Sequence, residues 1–178
     1  MIIQVHDKKF QPYIKAEQIQ EQISKLANQI NSDYAGKSPL FVAILNGSFM
    51  FAADLFKQIT VGAEISFIKL ASYKGTKSTG NVITSIGLDE SLNGRDVIIV
   101  EDIVDTGKTL FEFLPQLTNQ QPASLKIAAL LHKPDALVFA LTIDYLGFSV
   151  PNKFLLGYGL DYDGKGRNLK EIYQLVED

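Results

Sequence analysis

The chain has 178 residues, a hydrophobic fraction of 46% and a formal net charge of −3. This length and composition are typical of a globular protein, and we expect residues 1–178 to form one domain. The absence of cysteine excludes disulfides and thiolate metal sites, and two histidines leave little for zinc, so any metal should be magnesium held by oxygen. The acidic balance, without a basic cluster, argues against nucleic acid as a partner.

No apolar run in this sequence approaches the roughly 18 residues of a membrane span. The amino-terminal residues also lack the order of a secretory signal, in which a charged region precedes a sustained apolar one. We therefore expect a cytoplasmic protein without a membrane partner.

Predicted strands and helices alternate along the chain. Helical spacing of apolar residues predicts a helix over residues 16–30, and a fully apolar strand at 40–45 precedes a helix at 49–56 that Ser48 can cap. Further strand-like runs lie at residues 65–71, 97–100 and 125–131. Because strands without alternation are buried on both faces, this order predicts an α/β fold with a central, mostly parallel sheet flanked by helices. Sites in such folds lie at the carboxyl ends of the strands.

The strongest chemical signal follows the strand at 97–100. Glu101, Asp102 and Asp105 come directly after it, and a loop with small hydroxyl side chains leads into a helix predicted at 110–114. Backbone N–H groups at the amino end of a helix suit a phosphate, and carboxylates can accept hydrogen bonds from ribose hydroxyls or help to hold magnesium. The segment therefore favours a ribose 5-phosphate site, and a solvated loop with helix caps is the alternative.

Residues 98–110 resemble the phosphoribosyl diphosphate signature of the phosphoribosyltransferases, and their Glu-Asp-Ile-Val-Asp-Thr-Gly-Lys-Thr form is most similar to the hypoxanthine (guanine) branch. Three further blocks extend the resemblance over most of residues 38–169. It implies a type I phosphoribosyltransferase fold, in which the chain ends form a small hood. It also implies a magnesium-dependent purine-salvage enzyme that makes inosine or guanosine monophosphate from phosphoribosyl diphosphate and hypoxanthine or guanine, releasing pyrophosphate.

The resemblance assigns a role to each polar residue of the signature. Asp105 would be the general base that takes a proton from the purine. Glu101 and Asp102 would bind the ribose hydroxyls and help to hold magnesium. The 5-phosphate would be held by Thr106, Gly107, Lys108 and Thr109.

A glycine turn follows the strand at 40–45 and consists of Leu45, Asn46, Gly47 and Ser48. Taken alone it reads as an ordinary turn with a serine cap. In the resembled family this loop binds pyrophosphate and often contains a non-proline cis peptide, which here would join Leu45 to Asn46. Many members carry lysine or arginine where this chain has Asn46, a difference that could weaken pyrophosphate binding or shift it to other basic groups. Arg167 matches a basic residue that contacts pyrophosphate.

Residues 72–80 are polar and contain two glycines, so taken alone they predict a mobile loop or a hairpin tip. By resemblance they match the flexible loop that closes over the site during transfer, with Ser72 and Tyr73 as the matching positions. Closure would exclude water from a reactive sugar cation.

The purine-binding residues are assigned by resemblance alone. Lys133 would donate a hydrogen bond to the exocyclic oxygen of a 6-oxopurine, although a lysine at a strand end is most often a solvated cap. Phe154 would stack on the base, and the backbone of Leu155 would meet its edge. Asp161 would assist a magnesium ion bound with pyrophosphate. Without the resemblance, Phe154 and Leu155 would be read as core residues.

Two other functions remain open from the sequence. One is a phosphoribosyltransferase with another base preference, and the residues do not rank hypoxanthine, guanine and xanthine. The other is an RNA-binding regulator of the same fold, which needs a basic surface that an acidic chain does not advertise. A salt-dependent gel shift with RNA separates the regulator from the enzyme. The family also suggests a homodimer or homotetramer.

Overall fold

Strands and helices alternate along most of the protein, which we describe over residues 1–72 and 82–177 of a computed structural model. In chain order the elements are β1 (Ile3–Val5), β2 (Lys8–Ile14), α1 (Ala16–Asp33), β3 (Leu40–Leu45), α2 (Phe49–Phe56), β4 (Glu64–Ser72), β5 (Val82–Ile86), β6 (Asp96–Val104), α3 (Lys108–Thr118), β7 (Ser124–His132), β8 (Tyr145–Ser149), β9 (Leu155–Leu156) and β10 (Ile172–Leu175).

The larger sheet has the strand order β5-β4-β3-β6-β7-β8, and all its neighbours are parallel except β5, which runs antiparallel to β4. Both faces of its centre are covered. In β3, Phe41 and Ala43 pack with α1 and α2, whereas Leu40 and Val42 pack with α3. Each fully buried aliphatic side chain contributes about 1.5–3 kcal/mol, so two buried faces explain why this strand is apolar at every position. The predicted α/β fold is confirmed.

The smaller sheet is antiparallel and has the order β1-β2-β10-β9. Two of its strands come from the first residues of the chain and two from the last part, which confirms the expected hood. Leu155, the first residue of β9, and Phe154 before it face the carboxyl ends of the parallel strands across a cavity described below.

Observed elements extend beyond several predicted ones. The bounds of β3 and α2 agree with the predicted residues, whereas β6 runs four residues past the predicted end at Val100 and includes the two acids that follow. Ser48 precedes α2 as predicted, but its hydroxyl donates to the carbonyl of Ile44 at 2.6 Å and makes no cap. Ser72 is the last residue of β4, and Tyr73 lies outside the described residues.

Among the described helices, none has the length and apolarity that crossing a membrane requires.

Candidate active site

The predicted residues of the pyrophosphate loop, the acids and Lys133 lie where β3, β6 and β7 end. Phe154, Leu155 and Asp161 face these strand ends from the hood side. These strands are parallel and adjacent, so their carboxyl ends lie at one edge of the sheet. The turn after β3 supplies the predicted pyrophosphate loop, the end of β6 supplies the acids, and β7 leads into Lys133. The backbone N–H of Lys133 donates to the carbonyl of Val104 at 2.9 Å, which fixes Lys133 beside the end of β6.

A cavity of about 280 Å³ opens at the end of β6. It is lined by Ile44, Leu45, Leu70 and residues 101–110. The first helical residue of α3 is Lys108, so the amino end of this helix borders the cavity. The N–H of Lys108 donates to the Thr106 hydroxyl at 3.3 Å. The positive end of the helix dipole favours an anion at this position. The local geometry therefore suits a phosphate.

The loop before α3 is supported from behind by residues 137–141. The carbonyl of Thr106 accepts the N–H groups of Val138 and Phe139, both at 3.0 Å. Gly107 has a φ of +80°, and a Cβ there would lie 2.6 Å from the carbonyl oxygen of Phe139. Only glycine meets both conditions without displacing the loop. Backbone hydrogen bonds leave no signature in side-chain chemistry, so this support could not be predicted from the sequence.

Glu101 is the most deeply buried acid of the site, with 8% exposure. Its Oε1 accepts the backbone N–H of Asp102 at 3.1 Å. Burial, reinforced by the negative charge of Asp102, raises the pKa of Glu101 well above its usual value of 4.5. A bound diol or cation would compensate part of this desolvation.

The predicted pyrophosphate loop touches the same acids. A Cβ on Gly47 would overlap the carboxyl group of Asp102, so the absence of a side chain allows this loop to meet the end of β6. The Leu45–Asn46 peptide is cis, as the family resemblance implied. Asn46 is exposed, and Ser48 is fully buried.

Replacing Glu101 by Gln should make the ligand-free protein more stable at neutral pH. The raised pKa means that the folded state binds the proton more tightly than the unfolded state, so stability falls as the pH rises from 4.5 through the folded pKa. Glutamine stays neutral and avoids this loss. We expect a melting temperature higher by roughly 2–4 °C near pH 8, corresponding to about 1 kcal/mol in a protein of this size.

Thermal unfolding of both proteins across this pH range measures the effect, with Glu112→Gln as the control on the partly exposed face of α3. The expected gain disappears below pH 4.5, where Glu101 is protonated in both states. A constant difference between wild type and variant at every pH would contradict the assigned titration.

A second cavity of about 190 Å³ adjoins the first, between the parallel sheet and the hood. It is lined by Asp102, Ile103, Asp105, Lys133, Phe154, Leu155, Leu160 and Asp161. Asp105 borders both cavities. The ammonium of Lys133, whose residue is 7% exposed, lies 3.1 Å from Oδ2 of Asp105. An acid and a buried donor are thus paired at the junction of the two spaces.

Phe154 forms an aromatic wall of the second cavity and is 41% exposed. Its ring meets the Tyr162 ring almost at right angles, with centroids 5.7 Å apart, and lies 6.2 Å from Phe10. The Tyr162 hydroxyl donates to Asp7 in the turn between β1 and β2 at 2.7 Å. Edge contacts of this kind hold a ring while leaving a face free for stacking. Phe10 and Tyr162 are site-supporting residues that the sequence did not reveal.

Asp161 makes an ion pair and a hydrogen bond with residues that follow it closely in the chain. Its Oδ1 lies 2.7 Å from the guanidinium of Arg167, and its Oδ2 accepts the N–H of Gly164 at 2.7 Å. Arg167 also donates to the carbonyl of Gly159 at 2.7 Å. Arg167 is not among the described residues that line either cavity, so contact with pyrophosphate would require it to leave part of this arrangement.

The described residues contain no group of three or more histidine, cysteine, aspartate or glutamate side chains that could hold a metal ion. Carboxylates do border both cavities, at Glu101 and Asp102 in the first and Asp102 and Asp161 in the second. Magnesium prefers oxygen and commonly completes its shell with water and substrate phosphates. The carboxylate oxygens around the two cavities fit a magnesium ion that binds together with a phosphorylated substrate. They do not fit a site in which protein side chains alone complete the coordination shell.

The parallel sheet, the hood and the two adjoining cavities have the arrangement of the type I phosphoribosyltransferase fold. The family model described as the phosphoribosyl transferase domain matches residues 14–163. The chain therefore belongs to the phosphoribosyltransferase family.

Curated proteins and solved structures of this family are similar over most of their length. The hypoxanthine-guanine phosphoribosyltransferase of Lactococcus lactis is 42% identical over 160 residues, covering 89% of this chain and 87% of that protein. A crystal structure of the corresponding Bacillus anthracis enzyme has a TM-score of 0.87 and 39% identity, covering 94% and 97% of the two chains. A hypoxanthine phosphoribosyltransferase structure from Staphylococcus aureus has a TM-score of 0.88 and 39% identity, covering 93% and 91%.

Proposed function

We propose that the protein transfers the 5-phosphoribosyl group of phosphoribosyl diphosphate to hypoxanthine or guanine, giving inosine or guanosine monophosphate and pyrophosphate. The observation that carries this proposal is the buried ammonium of Lys133 beside Asp105 in a cavity walled by Phe154. The relatives named as hypoxanthine-guanine phosphoribosyltransferases support it. We also propose a cytoplasmic location, which a role in purine salvage supports, and magnesium as the cofactor.

At the base end, Lys133 donates a hydrogen bond to the 6-oxygen of the purine, and Phe154 stacks on the ring. The backbone of Leu155 meets the edge of the base. Asp105, on the border between the cavities, accepts the imidazole proton as the ring nitrogen attacks the anomeric carbon. A 6-amino group offers no acceptor to Lys133, so adenine leaves this donor unpaired.

At the sugar end, Glu101 and Asp102 accept hydrogen bonds from the two ribose hydroxyls. The 5-phosphate binds to residues 106–109 at the amino end of α3. Positive charge then develops on the ribose ring beside the two carboxylates, while the loop at residues 45–48 binds the departing pyrophosphate. Arg167 would join this contact only after leaving part of its present hydrogen bonds. Asp161, Glu101 and Asp102 would hold magnesium, which would supply positive charge to neutralise the pyrophosphate leaving group.

One assay tests this proposal. Nucleotide formation is measured from phosphoribosyl diphosphate and magnesium with hypoxanthine, guanine, xanthine, adenine and uracil in parallel. We expect turnover with hypoxanthine or guanine and none with adenine or uracil. Activity confined to adenine or uracil would overturn the base-pocket assignment, and no activity with any base would overturn the enzyme proposal.

We also propose that the protein forms a homodimer or homotetramer. Phe49 and Phe67 are each 41% exposed. Phe49 is the first residue of α2 and follows the pyrophosphate loop, and Phe67 lies on β4. Aromatic residues are enriched at protein–protein interfaces, so these two side chains support the assembly that the family resemblance suggests. Sedimentation equilibrium measures the assembly directly, and a monomer at micromolar concentration would contradict this proposal.

A further inference from the structure

The hood turn Gly157-Tyr158-Gly159 has an unusual backbone. All three residues have positive φ values, of 100°, 48° and 99°. Glycine adopts this region freely, but a tyrosine does so only when its surroundings hold it there. The Tyr158 side chain is buried, with 3% exposure. The energetic reason for this conformation must therefore lie in what the tyrosine contacts.

The Tyr158 hydroxyl reaches out of the hood to α2. It donates a hydrogen bond to Oδ2 of Asp54 at 2.6 Å. Asp54 also accepts the side-chain amide of Gln20 on α1 at 2.8 Å and pairs with Lys57 at 2.6 Å. Burial, with the Asp54 carboxylate, raises the pKa of Tyr158, so the hydroxyl remains a donor across the physiological range. The hood turn is thus anchored to the two helices on one face of the parallel sheet.

The next residue of the turn touches the predicted pyrophosphate loop. A Cβ on Gly159 would overlap the carbonyl oxygen of Gly47, so the two backbones are in direct contact. Gly47 immediately precedes Ser48 and the helix α2 that carries Asp54. The turn therefore meets a single loop-and-helix unit at two points, one a side-chain hydrogen bond and the other a backbone contact. Asp161 follows two residues later on the same segment.

We propose that Tyr158 and Asp54 are a positioning pair that fixes the loop at residues 45–48 against Gly159 and so sets its distance from Asp161. Neither residue lines the two substrate cavities, so the pair acts through the backbone of the turn. This inference rests on the proposed function, because it assigns the 45–48 loop to pyrophosphate. Removal of the hydrogen bond would weaken binding of the diphosphate group and leave the base pocket intact.

The test compares two tyrosine variants of matched chemistry. Tyr158→Phe should raise KM for phosphoribosyl diphosphate about tenfold, within the range for a lost hydrogen bond to a charged group, with KM for hypoxanthine within about twofold of wild type. Tyr145→Phe is the control. Tyr145 is 1% exposed, and its hydroxyl donates to Asp33 at 2.7 Å, away from the site residues. It should lower the melting temperature comparably without changing either KM.

Variants of Asp54 test the other partner. Its side chain is 21% exposed, so truncation leaves a smaller buried gap than at Tyr158. Asp54→Ala should reproduce the KM increase, and Asp54→Asn, which keeps an acceptor for the tyrosine, should restore wild-type values. Calorimetric binding of magnesium pyrophosphate provides a readout without turnover and should weaken about tenfold in Tyr158→Phe and Asp54→Ala.

Failure of the proposed function and failure of the positioning pair would give different experimental results. A wild-type protein without transferase activity overturns the proposed function, while pyrophosphate binding still tests the pair. If Tyr158→Phe and Tyr145→Phe lower stability alike and bind diphosphate ligands as wild type does, Tyr158 is only structural and the positioning pair is overturned.

Discussion

Replacing Asp105 by Asn is expected to lower kcat for nucleotide formation by about 10²–10⁴-fold, the usual contribution of a general base. Asparagine preserves the size of the side chain and an acceptor for Lys133, but it cannot take the purine proton. Removal of the Asp105 charge leaves the buried Lys133 ammonium without its paired anion, so we also expect a lower melting temperature. Steady-state kinetics with hypoxanthine measure the loss.

Asp135→Asn is the matched control for this variant. Asp135 is exposed near the base cavity but does not line it, so its replacement should leave kcat unchanged. If Asp105→Asn retains kcat within about tenfold of wild type, a residue other than Asp105 accepts the proton.

Replacing Lys133 by Met is expected to lower kcat/KM for hypoxanthine about 100-fold, the upper range for losing a hydrogen bond from a charged donor. Methionine retains an unbranched apolar chain in this buried position but has no ammonium. The variant should also lose its preference for hypoxanthine over adenine, because the discriminating donor is absent. KM for phosphoribosyl diphosphate should change little, since Lys133 lines the base cavity and not the larger one.

The base panel measured with this variant checks both effects. Lys25→Met, which removes an exposed ammonium on α1, serves as the control and should behave as wild type. A Lys133→Met protein that loses activity but keeps the wild-type ratio between hypoxanthine and adenine would contradict the role of Lys133 in base recognition.

The sequence predicted the parallel core well because burial dictates its pattern. The strand β3 is covered on both faces, so its six residues are all apolar and their bounds are readable. The carboxyl end of β6 was harder to predict. Glu101 and Asp102 belong to the strand, but their polarity predicted that the strand would end before them. The acids stay in the sheet because β6 continues to pair with β7 through Val104.

The supporting parts of the site were beyond sequence reasoning because they depend on contacts between distant segments. Tyr162 holds Phe154 through its ring, and its own hydroxyl is held by Asp7 at the opposite end of the chain. From the sequence alone Tyr158 would be interpreted as a core aromatic residue. In the structure its hydroxyl donates a hydrogen bond to Asp54. The signature residues themselves were predictable because their chemistry is local, with acids, hydroxyls and a helix amino end in consecutive positions.

We propose that the base cavity, which Lys133 lines and which Asp105 shares with the phosphate cavity, binds the base of a 6-oxopurine nucleotide. A crystal structure with inosine monophosphate and magnesium pyrophosphate tests it most directly. We expect the Lys133 ammonium at hydrogen-bond distance from the 6-oxygen, the Asp105 carboxylate facing the imidazole nitrogen, and the 5-phosphate on the N–H groups of residues 106–109. A base bound away from Lys133, or a phosphate outside the loop before α3, would contradict the account.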